Sequence, residues 1–203
     1  MTSIAVVDHG AGNLISMEQA LVRAGAQPTR VAEGCDLAPY DGVILPGVGA
    51  TGAAMRTLRR AGLVDPLRTY GGPFLGVCVG MQLLFEYSEE DDTACLGLMG
   101  GHIGRLKARP LPHMGWNDVD DCTDPLVPPN GDATFYFVHS FAPRPDDPAV
   151  VTGWTRHGTD RFASIVRSGN AVGVQFHPER SSHAGMAVLN RFVASCREAA
   201  RVA

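Results

Sequence analysis

Short apolar runs and helix-spaced apolar residues take turns along the first half of this chain, and that alternation restricts the fold more than any other property. Ile4 to Val7 reads as a strand, and from about Leu14 the positions Leu14, Met17, Leu21 and Ala24 recur at helical spacing. A strand near Thr29 to Ala32 follows, then one at Gly42 to Leu45, a helix over about Gly52 to Arg60, and a strand with its following helix at 73 to 87. Strands joined through helices lie parallel, and a parallel sheet has to be covered on both faces. The expected architecture is α/β, with three layers: a mixed, mostly parallel central sheet flanked by helices. An α+β arrangement is the alternative that the periodicity leaves open.

After Asp91 the texture changes to short strands, prolines and glycines, as in Ala108 to Asn117 and Asp124 to Gly131. Phe135 to Phe141, Val150 to Trp154, Phe162 to Val166 and Ala171 to Phe176 read as strands, with Ser168-Gly169-Asn170 as a hairpin turn. A last helix begins near Ser181 or Ser182, either of which can cap it, and buries Met186, Leu189, Phe192, Val193 and Cys196. No repeat or long linker divides the 203 residues, so 1–203 reads as one domain.

The net charge of −4 speaks against binding to nucleic acid or an anionic membrane through charge. Cysteines at 35, 78, 95, 122 and 196 are odd in number and form no CxxC pair, which points to neither a disulfide framework nor a zinc site. No cofactor or metal is expected. A reducing cytoplasm fits that cysteine usage, and no signal segment or membrane span is visible.

One cysteine stands apart. The run Pro73-Phe74-Leu75-Gly76-Val77-Cys78-Val79-Gly80-Met81-Gln82 carries an apolar strand into Cys78 and a helix-forming segment out of it. A free cysteine usually packs as a small apolar side chain. Here Gly76 and Gly80 bracket it, at places where glycine is a poor choice unless the backbone needs unusual dihedrals or close approach. That is the pattern of a nucleophile elbow, in which a sharp strand-to-helix turn presents the reactive atom and the helix N-terminus favours an anion.

A matching base lies 99 residues on, in Gln175-Phe176-His177-Pro178-Glu179. Residues two apart in extended chain project to one side, so His177 and Glu179 can hydrogen-bond, and the carboxylate would fix the imidazole tautomer. His-Pro-Glu alone suits an ordinary turn before a helix; with the glycine-flanked cysteine it supplies base and orienter to a nucleophile. A tetrahedral oxyanion needs donors as well. The N–H of Val79, directly after the nucleophile, is one, and the turn Leu45-Pro46-Gly47-Val48-Gly49 offers that of Val48.

With Gly-Val-Cys-Val-Gly-Met-Gln, Pro-Gly-Val-Gly and Gln-Phe-His-Pro-Glu together, the chain resembles the class I (triad) glutamine amidotransferases over essentially its whole length. Asp8 to Leu14, Pro112 to Asn117, Tyr136 to Phe141 and His177 to Ser182 are similar, in order and spacing, to the glutaminase subunits of imidazole glycerol phosphate synthases. The His113-Met114-Gly115-Trp116-Asn117 segment narrows the resemblance to them.

The resemblance implies a flavodoxin-like fold and glutamine hydrolysis through a Cys78 thioester, with His177 moving the proton and Glu179 orienting it. Glutamine recognition would fall on Gly49, Gln82 and the backbone of His139, Ser140 and Phe141. A (β/α)8-barrel cyclase subunit would receive the ammonia in a heterodimer serving histidine biosynthesis, with Asn13, Met114, Trp116, Asn117, Tyr136 and Arg180 toward it. Arg180 stands where relatives commonly carry lysine, and Ala50 where a bulkier residue is frequent.

Three other readings stay open on sequence. Gly10-Ala11-Gly12 after the first strand, with Glu33 beyond, hints at a nucleotide-binding turn, although Ile15 occupies the place of its third glycine. A glutaminase for pyridoxal phosphate or anthranilate synthesis would share the triad. A cysteine peptidase or chaperone-like hydrolase on a similar sheet would share the elbow.

Overall fold

The computed structural model of the chain describes residues 1–128 and 133–202. Pro129, Asn130 and Gly131 of the second proline-rich stretch lie outside them. The first half alternates as expected: β1 (Thr2–Val7), α1 (Leu14–Arg23), β2 (Ala26–Val31), β3 (Gly42–Leu45), α2 (Thr51–Arg60), α3 (Val64–Thr69), β4 (Phe74–Val77) and α4 (Val79–Gln82). There follow β5 (Tyr87–Ser88), β6 (Thr93–Ala94), β7 (Gly101–Arg105), β8 (His113–Asp118), β9 (Thr134–His139) and β10 (Phe141–Pro145). The chain closes with β11 (Val151–His157), β12 (Asp160–Ser168), β13 (Ala171–Val174) and α5 (Ser182–Val202).

The central sheet has seven strands in the order β11-β12-β13-β4-β3-β1-β2. Pairing is parallel from β13 through β4, β3 and β1 to β2, and antiparallel along β11-β12-β13. β3 and β4 are buried at every residue, as central strands covered on both faces must be. Helices flank the sheet: α1 packs with α5, and α2 with α4. The hairpin turn after β12 is as expected, with Ser168 facing Ala171 and Gly169 at φ 55°.

Three sequence expectations change. The run Phe135 to Phe141 is not one strand. It breaks at Ser140, whose carbonyl accepts the Leu106 N–H at 2.9 Å, so β9 pairs with β8 while β10 joins the sheet β10-β7-β5-β6. The helix after Cys78 is a single turn. The carbonyls of Leu83, Leu84 and Phe85, which would continue it, accept N–H groups of residues 96–99 at 2.7–2.9 Å instead. The Ser181 hydroxyl is engaged elsewhere than at the start of α5: it donates to the His177 carbonyl at 2.6 Å and accepts the Tyr136 N–H at 2.9 Å, while Ser182 is already the first residue of the helix.

This topology gathers chemistry at one edge. β1, β3, β4 and β13 run parallel, so the segments after them, which hold His9, the Pro46–Gly49 turn, Cys78 and His177, all emerge together. A wide cleft lined by Tyr40, Asp41, Tyr70 and Pro73 lies where β3 and β4 begin, at the opposite edge, and no triad residue lines it.

Candidate active site

Register decides what stands beside Cys78. Val77 of β4 is level with Val174 of β13, so Cys78 leaves the sheet abreast of Gln175, and its N–H donates to the Val174 carbonyl at 2.8 Å. Cys78 has φ 53° and ψ −108°, a conformation that costs an L residue of order 1–3 kcal/mol and persists only where its surroundings enforce it.

The flanking glycines let the surrounding backbone close in on it. A Cβ on Gly76 would sit 2.6 Å from the Gly80 carbonyl oxygen, and one on Gly80 would run into the carbonyl of Leu45. A Cβ on Gly47 would lie 2.8 Å from the Val79 Cβ and 3.0 Å from the Gly80 nitrogen. Strand end, elbow and the Pro46–Gly49 turn therefore touch through backbone, which sets the turn carrying Val48 directly against Val79. Gly49 has φ 86°, and the His9 imidazole anchors the turn by donating from Nε2 to the Pro46 carbonyl at 2.7 Å.

His177 follows β13 and is tied by its N–H to the Tyr136 carbonyl of β9 at 2.9 Å. Beside it Phe176 stacks on Phe135 at 3.8 Å between centroids, which fixes the segment against β9. His177 Nδ1 lies 3.0 Å from Glu179 Oε1, with only 2% and 3% of the two side chains exposed. Since a carboxylate only accepts, Nδ1 carries hydrogen. Nε2 is buried and makes no hydrogen bond of good geometry. Burial works against charge on this ring, but the charge of the nearby Cys78 sulfur and then Glu179 outweigh it and raise the pKa to about 10. The arrangement is an imidazolium beside a cysteine sulfur.

Around the sulfur, Sγ lies 4.0 Å from the Val138 carbonyl and receives the Gln175 amide at 3.6 Å. Gln82 is 2% exposed, and its Nε2 donates to the Phe141 carbonyl at 3.0 Å and to Gln175 Oε1 at 3.2 Å. The carbonyl of Phe141 also accepts His139 Nδ1 at 2.8 Å, so the acceptors of Ser140 and Phe141 are already engaged within the protein. Gln175 is not singled out by sequence reasoning. Its signal lies in the register: a residue one step past β13 faces one step past β4.

The residues expected toward a partner divide in two. Met114 and Trp116, on the outer face of β8, are 62% and 56% exposed. Trp116 meets Tyr136 edge-on at 6.2 Å, and the Arg180 guanidinium lies over the Tyr136 ring at 4.7 Å, so the four make one surface. Asn117 shares the strand but turns its amide inward, donating to His113 Nε2 at 3.0 Å and to the Arg156 carbonyl at 2.8 Å. Asn13 sits at the N-cap position of α1 without a side-chain capping bond.

Fold and site together define a class. The sequence pattern of the glutamine amidotransferase class-I family matches residues 5–196, and the chain belongs to that family. Within it, the chain is 44% identical over 195 residues to the imidazole glycerol phosphate synthase subunit HisH 2 of Legionella pneumophila (strain Lens), covering 94% of this chain and 96% of that one. The corresponding HisH subunit of Xylella fastidiosa (strain Temecula1) is 44% identical over 199 residues, 95% of this chain and 98% of its own. A crystal structure of a glutamine amidotransferase superposes with a TM-score of 0.75 at 20% identity over 95% of this chain and 98% of its own, which speaks to the fold alone. Family membership sets aside the nucleotide-binding and peptidase readings.

Proposed function

We propose that this chain is the glutaminase subunit of an imidazole glycerol phosphate synthase, supplying ammonia to a cyclase partner in histidine biosynthesis. The observation that carries the chemistry is His177: one nitrogen held by Glu179, the other buried, unpaired and under the influence of Cys78. The Cys78 thiolate adds to the carboxamide carbon of glutamine, and the oxyanion is held by the N–H groups of Val79 and Val48. His177 then gives its Nε2 proton to the amide nitrogen, the C–N bond breaks, and ammonia leaves a glutamyl thioester. Water attacks the thioester as His177 takes its proton. Glutamate departs, and thiolate and imidazolium are restored.

Gly49, Gln82 and the backbone at His139, Ser140 and Phe141 would receive the glutamine. Since Gln82 Nε2 and the carbonyls of Ser140 and Phe141 are already bonded, recognition falls on Gln82 Oε1 and on backbone N–H groups. Met114, Trp116, Tyr136 and Arg180 form an apolar and cationic face beside the site, suited to a partner surface. A (β/α)8-barrel cyclase seated there would take ammonia without its passing through bulk solvent.

Replacing Cys78 with Ala tests the reading. Synthesis of imidazole glycerol phosphate from glutamine should be lost, while synthesis from ammonium salts by the partner survives. Undiminished glutamine-dependent synthesis in that variant would remove Cys78 from the role of nucleophile.

A further inference from the structure

A single file of hydrogen bonds joins strand β8 to the Cys78 sulfur, and chemistry fixes its direction. At one end the Phe141 carbonyl can only accept, so His139 Nδ1, 2.8 Å away, carries the hydrogen. In a neutral ring His139 Nε2 is then bare, and His113 Nδ1 at 3.1 Å must donate to it. His113 Nε2 is bare in turn and accepts from Asn117 Nδ2 at 3.0 Å. The Asn117 amide cannot be turned round, because its Oδ1 accepts the Asp118 N–H at 2.8 Å and its second N–H donates to the Arg156 carbonyl.

The file continues on the other side of Phe141. Gln82 Nε2 donates to the same carbonyl and to Gln175 Oε1, and Gln175 Nε2 donates to Cys78 Sγ. His113, His139, Gln82 and Gln175 are all buried, at 5%, 6%, 2% and 0% exposure, so water does not compete for these bonds. Only one arrangement of protons satisfies every link. A second proton on either ring would set N–H against N–H, and burial does hold both rings neutral, His113 down to about 4 and His139 to about 3.

We propose that His113 is a positioning residue. From the inner face of β8, whose outer face bears Met114 and Trp116, it fixes the His139–Phe141 corner, and with it the Gln82–Gln175 amide pair that holds the reactive sulfur. β8 and Cys78 thus move as one unit, and displacement of the strand by a body on its outer face is felt at the nucleophile. This deepens the glutaminase reading and rests on it.

The test compares glutamine hydrolysis by the subunit, with its cyclase partner present, across variants. His113→Leu removes both links and should lower kcat/KM for glutamine about tenfold. His113→Asn retains a donor near the Nδ1 position and should recover most of that loss. The groups facing His113 that titrate are His139 on β9 and His157 on β11, with His177 beyond His139. Asn117→Asp places a carboxylate against Nε2 and raises the pKa of His113. Below that pKa the charged ring still donates from Nδ1 and activity persists; above it the proton stays on Nε2, the link to His139 is lost and activity falls. The wild type should show no such limb. Wild-type activity in His113→Leu, no advantage of His113→Asn over it at equal thermal stability, or an Asn117→Asp profile superimposed on the wild type would each overturn the proposal. Should His113→Leu fail to fold, the near-isosteric Asn117→Asp decides. A wild-type subunit that hydrolyses no glutamine with its cyclase partner present would instead sink the underlying glutaminase reading.

Discussion

At the scale of single residues the site is a question of which group holds which proton. Glu179 is among the groups that keep His177 charged, through its hydrogen bond and its charge. With the imidazolium intact up to about 10, the general acid is lost only as the pH rises through that value, and kcat/KM for glutamine should fall there. Glu179→Gln removes the charge, lowers the His177 pKa and should move this alkaline limb to lower pH, with a rate loss of the order of a hundredfold. A pH–rate profile of the variant checks both; an unmoved limb would mean that Glu179 does not act through His177. The proposed triad was legible because its signal is local: glycines around Cys78, and a carboxylate two residues past a histidine. Gln175 and His113 were not. Both act through side-chain bonds to residues 97 and 26 positions away, and only strand register reveals such pairs.

At the scale of elements, the elbow works because three backbones meet where no side chain fits. Gly80→Ala would drive a Cβ into the Leu45 carbonyl at the end of β3, and neither backbone can yield without disturbing the central sheet. The loss should be of order 3 kcal/mol or more, seen as reduced soluble yield and an earlier denaturant midpoint. A variant as stable as the wild type would show that the elbow opens more easily than its packing suggests. The parallel half of the fold could be read in advance, since buried strands and amphipathic helices carry strong periodicity. What failed was continuity. Nothing in Phe135 to Phe141 marks the change of sheet at Ser140, because apolar alternation runs on while the hydrogen-bond partners change. The helix after Cys78 ends early for a similar reason: residues 96–99 compete for its carbonyls, and that competition is tertiary.

At the scale of the whole molecule, three buried histidines give the fold a dependence on pH with opposite signs. Burial is the main cause that keeps His139 and His113 neutral, to about 3 and about 4 against an ordinary 6.5. Between those values and 6.5 the unfolded chain binds protons that the folded one does not, so stability must fall as the pH drops through that window. His177 runs the other way. Its pKa is raised to about 10, so the folded chain keeps a proton that the unfolded one releases above 6.5, and the stability this contributes is lost as the pH climbs toward 10. Stability should therefore peak near neutrality, with the unfolding midpoint lower by about 5 °C or more at pH 4, since 1 kcal/mol moves a chain of this size by about 2–4 °C. The two slopes have separate owners. His113→Asn, which cannot charge, should make the acid side shallower, leaving the share of His139, while the alkaline side stays as it is. Cys78→Ala, which removes the foremost influence raising His177, should flatten the alkaline side only. Thermal unfolding from pH 4 to 10 for the three proteins separates these cases. An acid slope unchanged in His113→Asn would place the dependence outside His113, in His139 or in the carboxylates.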